Sequence, residues 1–354
     1  MDLARQCDQG KVGILLNRRS QGYDAGFEQL GNIGGTVILL LAATCLPFVL
    51  KGYQLFQVSL ALSYAVTLLG LNLLTGWTGQ ISIGHGAFVA VGAYVAAFAV
   101  AKLGSPYVVA ILLAIVICFA VGLAFGIPAL RFEGHHLALM TFVLAIFLPQ
   151  LLKAERFVPL TGGVNGITLK KPLPPEWLPV NSDLFLYMIS CSILAVGFFL
   201  AWNLGRGRIG RALLAIREHP TAAAAMGVNV AFFKIMVFGI SAAFAGAGGA
   251  LGALLVQYVS PDSFTLFLSI SLLVGIVVGG LGSVSGALFG GFFILFVPSI
   301  AENVSKAMPW TVYGAFLIAL MFLAPDGIAG LVGRLGHWIV EQVVSRNSRS
   351  RGTE

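Results

Sequence analysis

Charge is what this chain has least of: Asp, Glu, Lys and Arg together make up 10% of its 354 residues. A soluble domain carries roughly 25%, so this sequence cannot clothe a surface that faces water. Hydrophobic residues reach 58% and the mean hydropathy is +0.93, which reads as an integral membrane protein. Cysteine is also scarce. Of Cys7, Cys45, Cys118 and Cys191, three sit in apolar runs and none has metal or redox spacing, so a disulfide framework is excluded.

Several signatures of chemistry are missing. No G-x-x-x-x-G-K-[ST] phosphate loop occurs, and Gly10-Lys11 is followed by Val12, so the chain cannot split ATP in that way alone. The pair His135-His136 has no third ligand at convincing spacing and no H-E-x-x-H accompanies it, so we expect a headgroup-level loop there and no metal. The G-x-S-G and G-x-G-D patterns of intramembrane proteases are absent, and Ser285-Gly286 lacks the preceding glycine. We therefore expect no catalytic residue and no cofactor. Ion-coupled carriers keep carboxylates inside their spans, whereas the acids here lie in loops and at span ends. The net charge of +7 comes from basic caps between apolar runs, which points to membrane topology and not to nucleic acid.

What is present is a series of apolar runs. A spanning helix needs roughly 17–25 such residues, and candidates fall near 33–50, 54–74, 84–101, 107–130, 137–152, 184–203, 231–256, 265–280, 286–304 and 308–325. The runs at 137–152, 265–280 and 84–101 are the short ones. With a cytoplasmic N-terminus, 14 Lys and Arg fall inside and 7 outside, as the positive-inside rule asks. The expected fold is all-α and polytopic, with about ten transmembrane helices, both termini cytoplasmic, and some helices short or broken. Residues 1–32 form a cytoplasmic segment, 33–325 the membrane domain, and 326–354 a cytoplasmic tail. The 33–50 run is too long for a signal-peptide core and lacks a cleavage site, so it is read as an uncleaved first span.

Two stretches interrupt this pattern. The first, Gly76 to Gly86, places Gly76, Gly79, Gly84 and Gly86 beside the neutral polar residues Gln80, Ser82 and His85. Irregular backbone at membrane depth is tolerated only when buried in protein or lining a water-filled cavity. The stretch is therefore either a lining of a translocation pathway or a packed helix break. It has a weak echo, Gly76-x-x-Gly79-x-Ile81-Ser82 against Gly279-x-x-Gly282-x-Val284-Ser285, and paired interruptions point to a transport pathway. The other glycines, Gly246 to Gly252 among them, read as close helix packing.

The second stretch is GRALLAIREHPTAAAAMGVN, Gly210 to Asn229, a charged helical island between apolar blocks. At 100° per residue Arg211, Arg217, Glu218 and Thr221 share one arc, with Leu213 and Ile216 elsewhere. Pro220 breaks the helix near His219 and opens a second one that Gly227 ends. Such a pair suits a rigid coupling element beneath the bilayer, or a helix pair resting on lipid headgroups. The loop Lys153 to Asp183, rich in Gly and Pro, is a connector or an external docking surface.

The island resembles the coupling segment of permease subunits from branched-chain amino-acid ABC importers, of the LivM type. LNLLTGWTGQISIGHGAFVAVGAY (Leu71 to Tyr94), TGGVNGI (Thr161 to Ile167) and GGLGSVSGALFGG (Gly279 to Gly291) resemble the same family in the same order, across most of 60–330. The family pattern carries an acid in the fifth span that RFEGHHLALMTFVLAIFLP, Arg131 to Pro149, lacks. The resemblance implies that Arg211, Arg217, Glu218, His219, Pro220 and Gly227 couple the chain to the ATPase. Gly76, Gly79, Gln80, Ser82, Gly84 and His85 would lie on the pathway. It also implies two ATP-binding subunits, a sister permease in a heterodimer, an external substrate-binding protein, lipid around the spans, and a place in the bacterial inner membrane. Cargo would be leucine, isoleucine and valine, with urea, short amides or aromatic acids as alternatives. An ATP-independent channel is a distant alternative.

Overall fold

The structure, a computed structural model, describes residues 52–132, 134–174, 180–306 and 308–334. The N-terminal segment 1–32, the first expected span at 33–50 and the tail beyond 334 lie outside the described residues. Each of the nine remaining apolar runs meets a helix. These are α1 (Tyr53–Leu71), α2 (His85–Ala101), α3 (Tyr107–Ala129), α4 (His135–Lys153), α5 (Ser182–Arg206), α8 (Val230–Val256), α9 (Leu266–Gly279), α10 (Val284–Val304) and α11 (Pro309–Leu323). The polar island forms two helices, α6 (Arg208–Glu218) and α7 (Pro220–Ala225). Lipid offers the backbone no hydrogen-bond partner, so long apolar runs close their bonds internally as helices.

Among the described residues, seven helices are long and apolar enough to cross a bilayer, or eight if the pair Thr311–Leu323 and Gly327–Arg334, bent by 42°, is one span. The 17-residue α2 falls below that length. At 1.5 Å per residue the 14 residues of α9 reach only about 21 Å, against roughly 30 Å of hydrocarbon. A 3-10 turn, Pro261–Ser263, extends it. One expectation needs correction. His135 and His136 open α4 instead of lying in a loop. The turn before them, with Gly134 at φ +55°, starts the helix earlier than the apolar run alone implied.

The core is built around α8, which packs on α3, α2 and α1. Three glycines explain how one helix meets three neighbours. A Cβ at Gly246 would lie 2.6 Å from the Cys118 side chain on α3, one at Gly248 2.6 Å from the Ser63 carbonyl oxygen on α1, and one at Gly249 2.9 Å from the Val89 carbonyl carbon on α2. Small residues let backbones approach closely where no hydrophobic force between helices exists. The remaining contacts place α10 on α1 and α9, and α5 on α1.

The connections collect at two ends. At one end the segment after α1, the α6–α7 island and the α9–α10 turn meet. At the other, β1 (Ile167–Thr168) pairs antiparallel with β2 (Tyr258–Val259), Ile167 opposite Val259.

A bulky residue at the crowded glycines must push a backbone aside, and overpacking costs about 1–3 kcal/mol or more. Gly249→Val should therefore lower the melting temperature of the detergent-solubilised protein by several degrees. Gly314→Val, whose Cβ would meet nothing within 4 Å, should leave it unchanged.

Candidate functional site

The helix α1 does not stop at Leu71. It widens into a π-helical turn, Asn72–Trp77, and then gives way to irregular backbone that ends where α2 begins at His85. Asn72 holds this break. Its Nδ2 donates to the Ser283 carbonyl at 2.7 Å, and its Oδ1 accepts from the Gly282 N–H at 2.7 Å. The Trp77 indole N–H donates to the Gly282 carbonyl at 3.0 Å. Gly76 lies so close that a Cβ there would sit 2.7 Å from the Gly282 nitrogen. The two Gly-interrupted stretches that echo one another in sequence are thus in direct contact. Gly79 and Gly282 take φ of +70° and +84°, a conformation that costs other residues dearly.

The start of α2 leaves backbone N–H groups without partners in their own helix, and neighbouring side chains satisfy them. The Ile83 N–H donates to Thr141 Oγ1 of α4 at 3.0 Å, and the Gly86 N–H to Ser269 Oγ of α9 at 3.0 Å. His85 is buried, with Nε2 2.7 Å from Ser241 Oγ and Nδ1 3.3 Å from Ser82 Oγ. The single Ser241 hydroxyl proton goes to the Gly70 carbonyl at 2.5 Å. His85 Nε2 must then be the donor, which leaves Nδ1 to accept from Ser82. The chain His85–Ser241–Gly70 straps α2 to α8 and α1. Ser82, Gly84 and His85 are enclosed, while Gly79 and Ile81 are exposed and Gln80 half-buried. The outward-facing part of the break is therefore Gly79 to Ile81.

The island folds as its sequence implies. Leu213 and Ile216 of α6 and Ala223 of α7 are buried, whereas Arg211, Glu218, His219, Pro220 and Gly227 are exposed. His219 takes an extended conformation between the helices, Pro220 stands at the first position of α7, and Gly227 has φ +84°. Arg217 does something the helical arc did not foretell. Its Nη1 donates to the Gly76 carbonyl at 2.5 Å. A Cβ on Gly79 would lie 3.4 Å from its Cγ. The guanidinium joins the island to the break.

Comparison with known proteins bears on this arrangement. Residues 54–325 match the family model described as branched-chain amino acid transport system / permease component. The chain belongs to this family. The LivM permease protein of the high-affinity branched-chain amino acid transport system of Escherichia coli K12 is 28% identical, over 82% of this chain and 73% of that protein. LivH of the same organism is 28% identical over 78% and 94%, and BraD of Pseudomonas aeruginosa 24% over 76% and 92%. Each of these relatives is named as a permease protein of a high-affinity branched-chain amino acid transport system. No solved structure matches the chain.

In this permease-family chain the TGGVNGI stretch lies at the end remote from the island. There β1 meets β2, Tyr258 Oη donates to the Asn165 carbonyl at 3.2 Å, and Lys153 Nζ pairs with Asp262 at 2.6 Å. The sequence reading missed Asn72, Thr141, Ser241 and Ser269. Each is a polar residue within an apolar run, with Ser269 followed by Ser271, which was a usable signal, because a polar side chain in a span seeks a partner across helices. Their partners lie up to 211 residues away and could not be read.

Removing the Asn72 amide strands a backbone N–H and a carbonyl at once, and an unsatisfied buried group costs about 1–3 kcal/mol. Asn72→Leu should lower the melting temperature markedly. In a double-mutant cycle Trp77→Phe should add less on top of it than alone, because both hold Gly282. Strict additivity would show that the two do not share one clamp.

Proposed function

We propose that this chain is one of two membrane subunits of an ATP-driven importer in a bacterial inner membrane, with branched-chain amino acids as cargo. Two separate ATPase subunits dock on the α6–α7 island, and a binding protein delivers cargo at the β1–β2 end. The single observation that carries this reading is the Arg217–Gly76 hydrogen bond. It supports division of labour within the island. Arg211, Glu218, His219 and Pro220 offer an exposed docking face, with Met226 85% exposed at the turn beside it. Arg217 passes any displacement of that face to the backbone of the broken helix.

The pathway then runs along the break, where Gly79 and Gln80 offer backbone and amide groups without fixed charge. Ser82, Gly84 and His85 shape it from behind by holding α2 in place. A neutral lining suits a zwitterion that must bind weakly and leave. Both chain ends and the island lie on the cytoplasmic side in this reading, in keeping with the excess of basic residues there.

The test is to purify the chain with its neighbours from the native membrane and reconstitute the complex. Nucleotide-binding subunits should co-elute with the wild-type chain, and labelled leucine should enter liposomes only with ATP. Changing Glu218 and Gly227 together should abolish co-elution or uncouple ATP turnover from uptake. Arg217→Ala should preserve co-elution yet cut uptake severalfold or more, because it removes the side-chain bond from the island to the break. Unchanged uptake in both variants would refute the coupling role.

A further inference from the structure

A second feature lies further along α1, toward the end that carries the strand pair. Between α1, α2, α8, β2 and the start of α9 is a cavity of about 160 Å³, bounded by Ser63, Tyr64, Thr67, Val89, Gly252 and Phe264 among others. A dry cavity of about 150 Å³ accommodates a benzene-sized guest, so the space is right for a branched hydrocarbon side chain. Among the described residues no charged side chain lines it. A solute with net charge would meet an uncompensated desolvation cost there.

Gly252 gives the cavity its meaning. A glycine within a helix is about 1 kcal/mol less favourable than alanine. At Gly246, Gly248 and Gly249 tight packing against neighbouring helices accounts for that cost. At Gly252 it does not, because a Cβ would find its nearest neighbour, Ser63 Oγ, 3.9 Å away. The volume that a side chain would occupy is left to the cavity. The polar part of the lining is equally defined. Ser63 Oγ donates to the Leu60 carbonyl at 2.8 Å and Thr67 Oγ1 to the Ser63 carbonyl at 3.3 Å. With those protons committed to the helix, both oxygens can only accept from a guest, which suits an ammonium group. Tyr64 supplies a phenol that can also donate.

We infer that this cavity is a cargo site for a small, net-neutral solute with an apolar side chain, and that the missing side chain at Gly252 sets the size it admits. The inference rests on the importer reading for its cargo class. Ser63 and Thr67 receive the amino group, and the side chain lies against Val89, Phe264 and the bare face of α8 at Gly252. Because α1 carries both the cavity and the π-helical turn, a shift of the break reaches the site directly.

The experiment uses the intact complex in proteoliposomes, with uptake of labelled valine, leucine and isoleucine. Gly252→Ala and Gly252→Val add one and three carbons to the cavity wall. Since a methylene more or less in an apolar pocket changes rates by about tenfold or more, Gly252→Val should cut leucine and isoleucine uptake at least about tenfold, with valine less affected. Gly252→Ala should give the same order in weaker form, at normal yield of complex. Equal rates to wild type, or equal loss for all three solutes, would overturn the assignment. As an arm independent of cargo identity, Gly252→Cys should react with N-ethylmaleimide above the wild-type background, and no reaction would also overturn it. A wild-type complex that moves none of the three amino acids refutes the cargo reading alone, and the maleimide arm then decides the cavity.

Discussion

The organising constraint is that a broken helix inside a membrane must find partners for every backbone group it releases. Here backbone groups at the break between α1 and α2 bond side chains from other helices, and the break's own Asn72 and Trp77 side chains in turn satisfy the backbone of a turn more than 200 residues away. Asn72 reads the Gly282–Ser283 backbone with a donor and an acceptor at 2.7 Å each, while Thr141, Ser269 and Ser241 complete the set. Each of these bonds makes the break depend on the position of a different helix. A break bonded in this way is tied to the positions of its partners, so a displacement of one of them strains its hydrogen bonds.

That property is what a transporter needs of a moving part. The α8 helix, crowded against three neighbours by glycines that admit no side chain, is the fixed frame. In the proposed coupling role the π-helical turn and irregular segment beside it would form the adjustable piece, with Arg217 as its handle. The guanidinium, bonded directly to the Gly76 carbonyl, would pass a displacement of the island on without a further hinge between them. The opposite end carries a two-residue strand pair and the ion pairs Lys153–Asp262 and Lys171–Asp183. Exposed ion pairs contribute roughly 0–1 kcal/mol each.

Much of the fold was legible because hydropathy dictates it. Every apolar run within the described residues became a helix, and Pro220 and Gly227 punctuated the island as their chemistry requires. The family was also legible, from motifs at the break and island. What could not be read was three-dimensional. Helical periodicity placed Arg217 on the exposed arc with Glu218, and both are exposed; what it could not show is that the guanidinium reaches the Gly76 carbonyl, 141 residues earlier. A polar His85 at membrane depth is more often a hydrogen-bonded structural residue than a ligand, but the sequence could not name its partners, which are Ser82 and Ser241. Asn72 passed unnoticed among leucines. The His135–His136 pair went the other way, joining a helix that the apolar run did not include.

The central claim is that island and break move as one body. Spin labels at Ala215 and Ile81, both exposed, with a third at exposed Tyr258, measure this by pulsed electron resonance in the reconstituted complex. On adding ATP and cargo-loaded binding protein, the Ala215–Ile81 distance should stay fixed while both distances to Tyr258 change together. If the island shifts against Ile81 and the break keeps its distance to Tyr258, the coupling described here is contradicted.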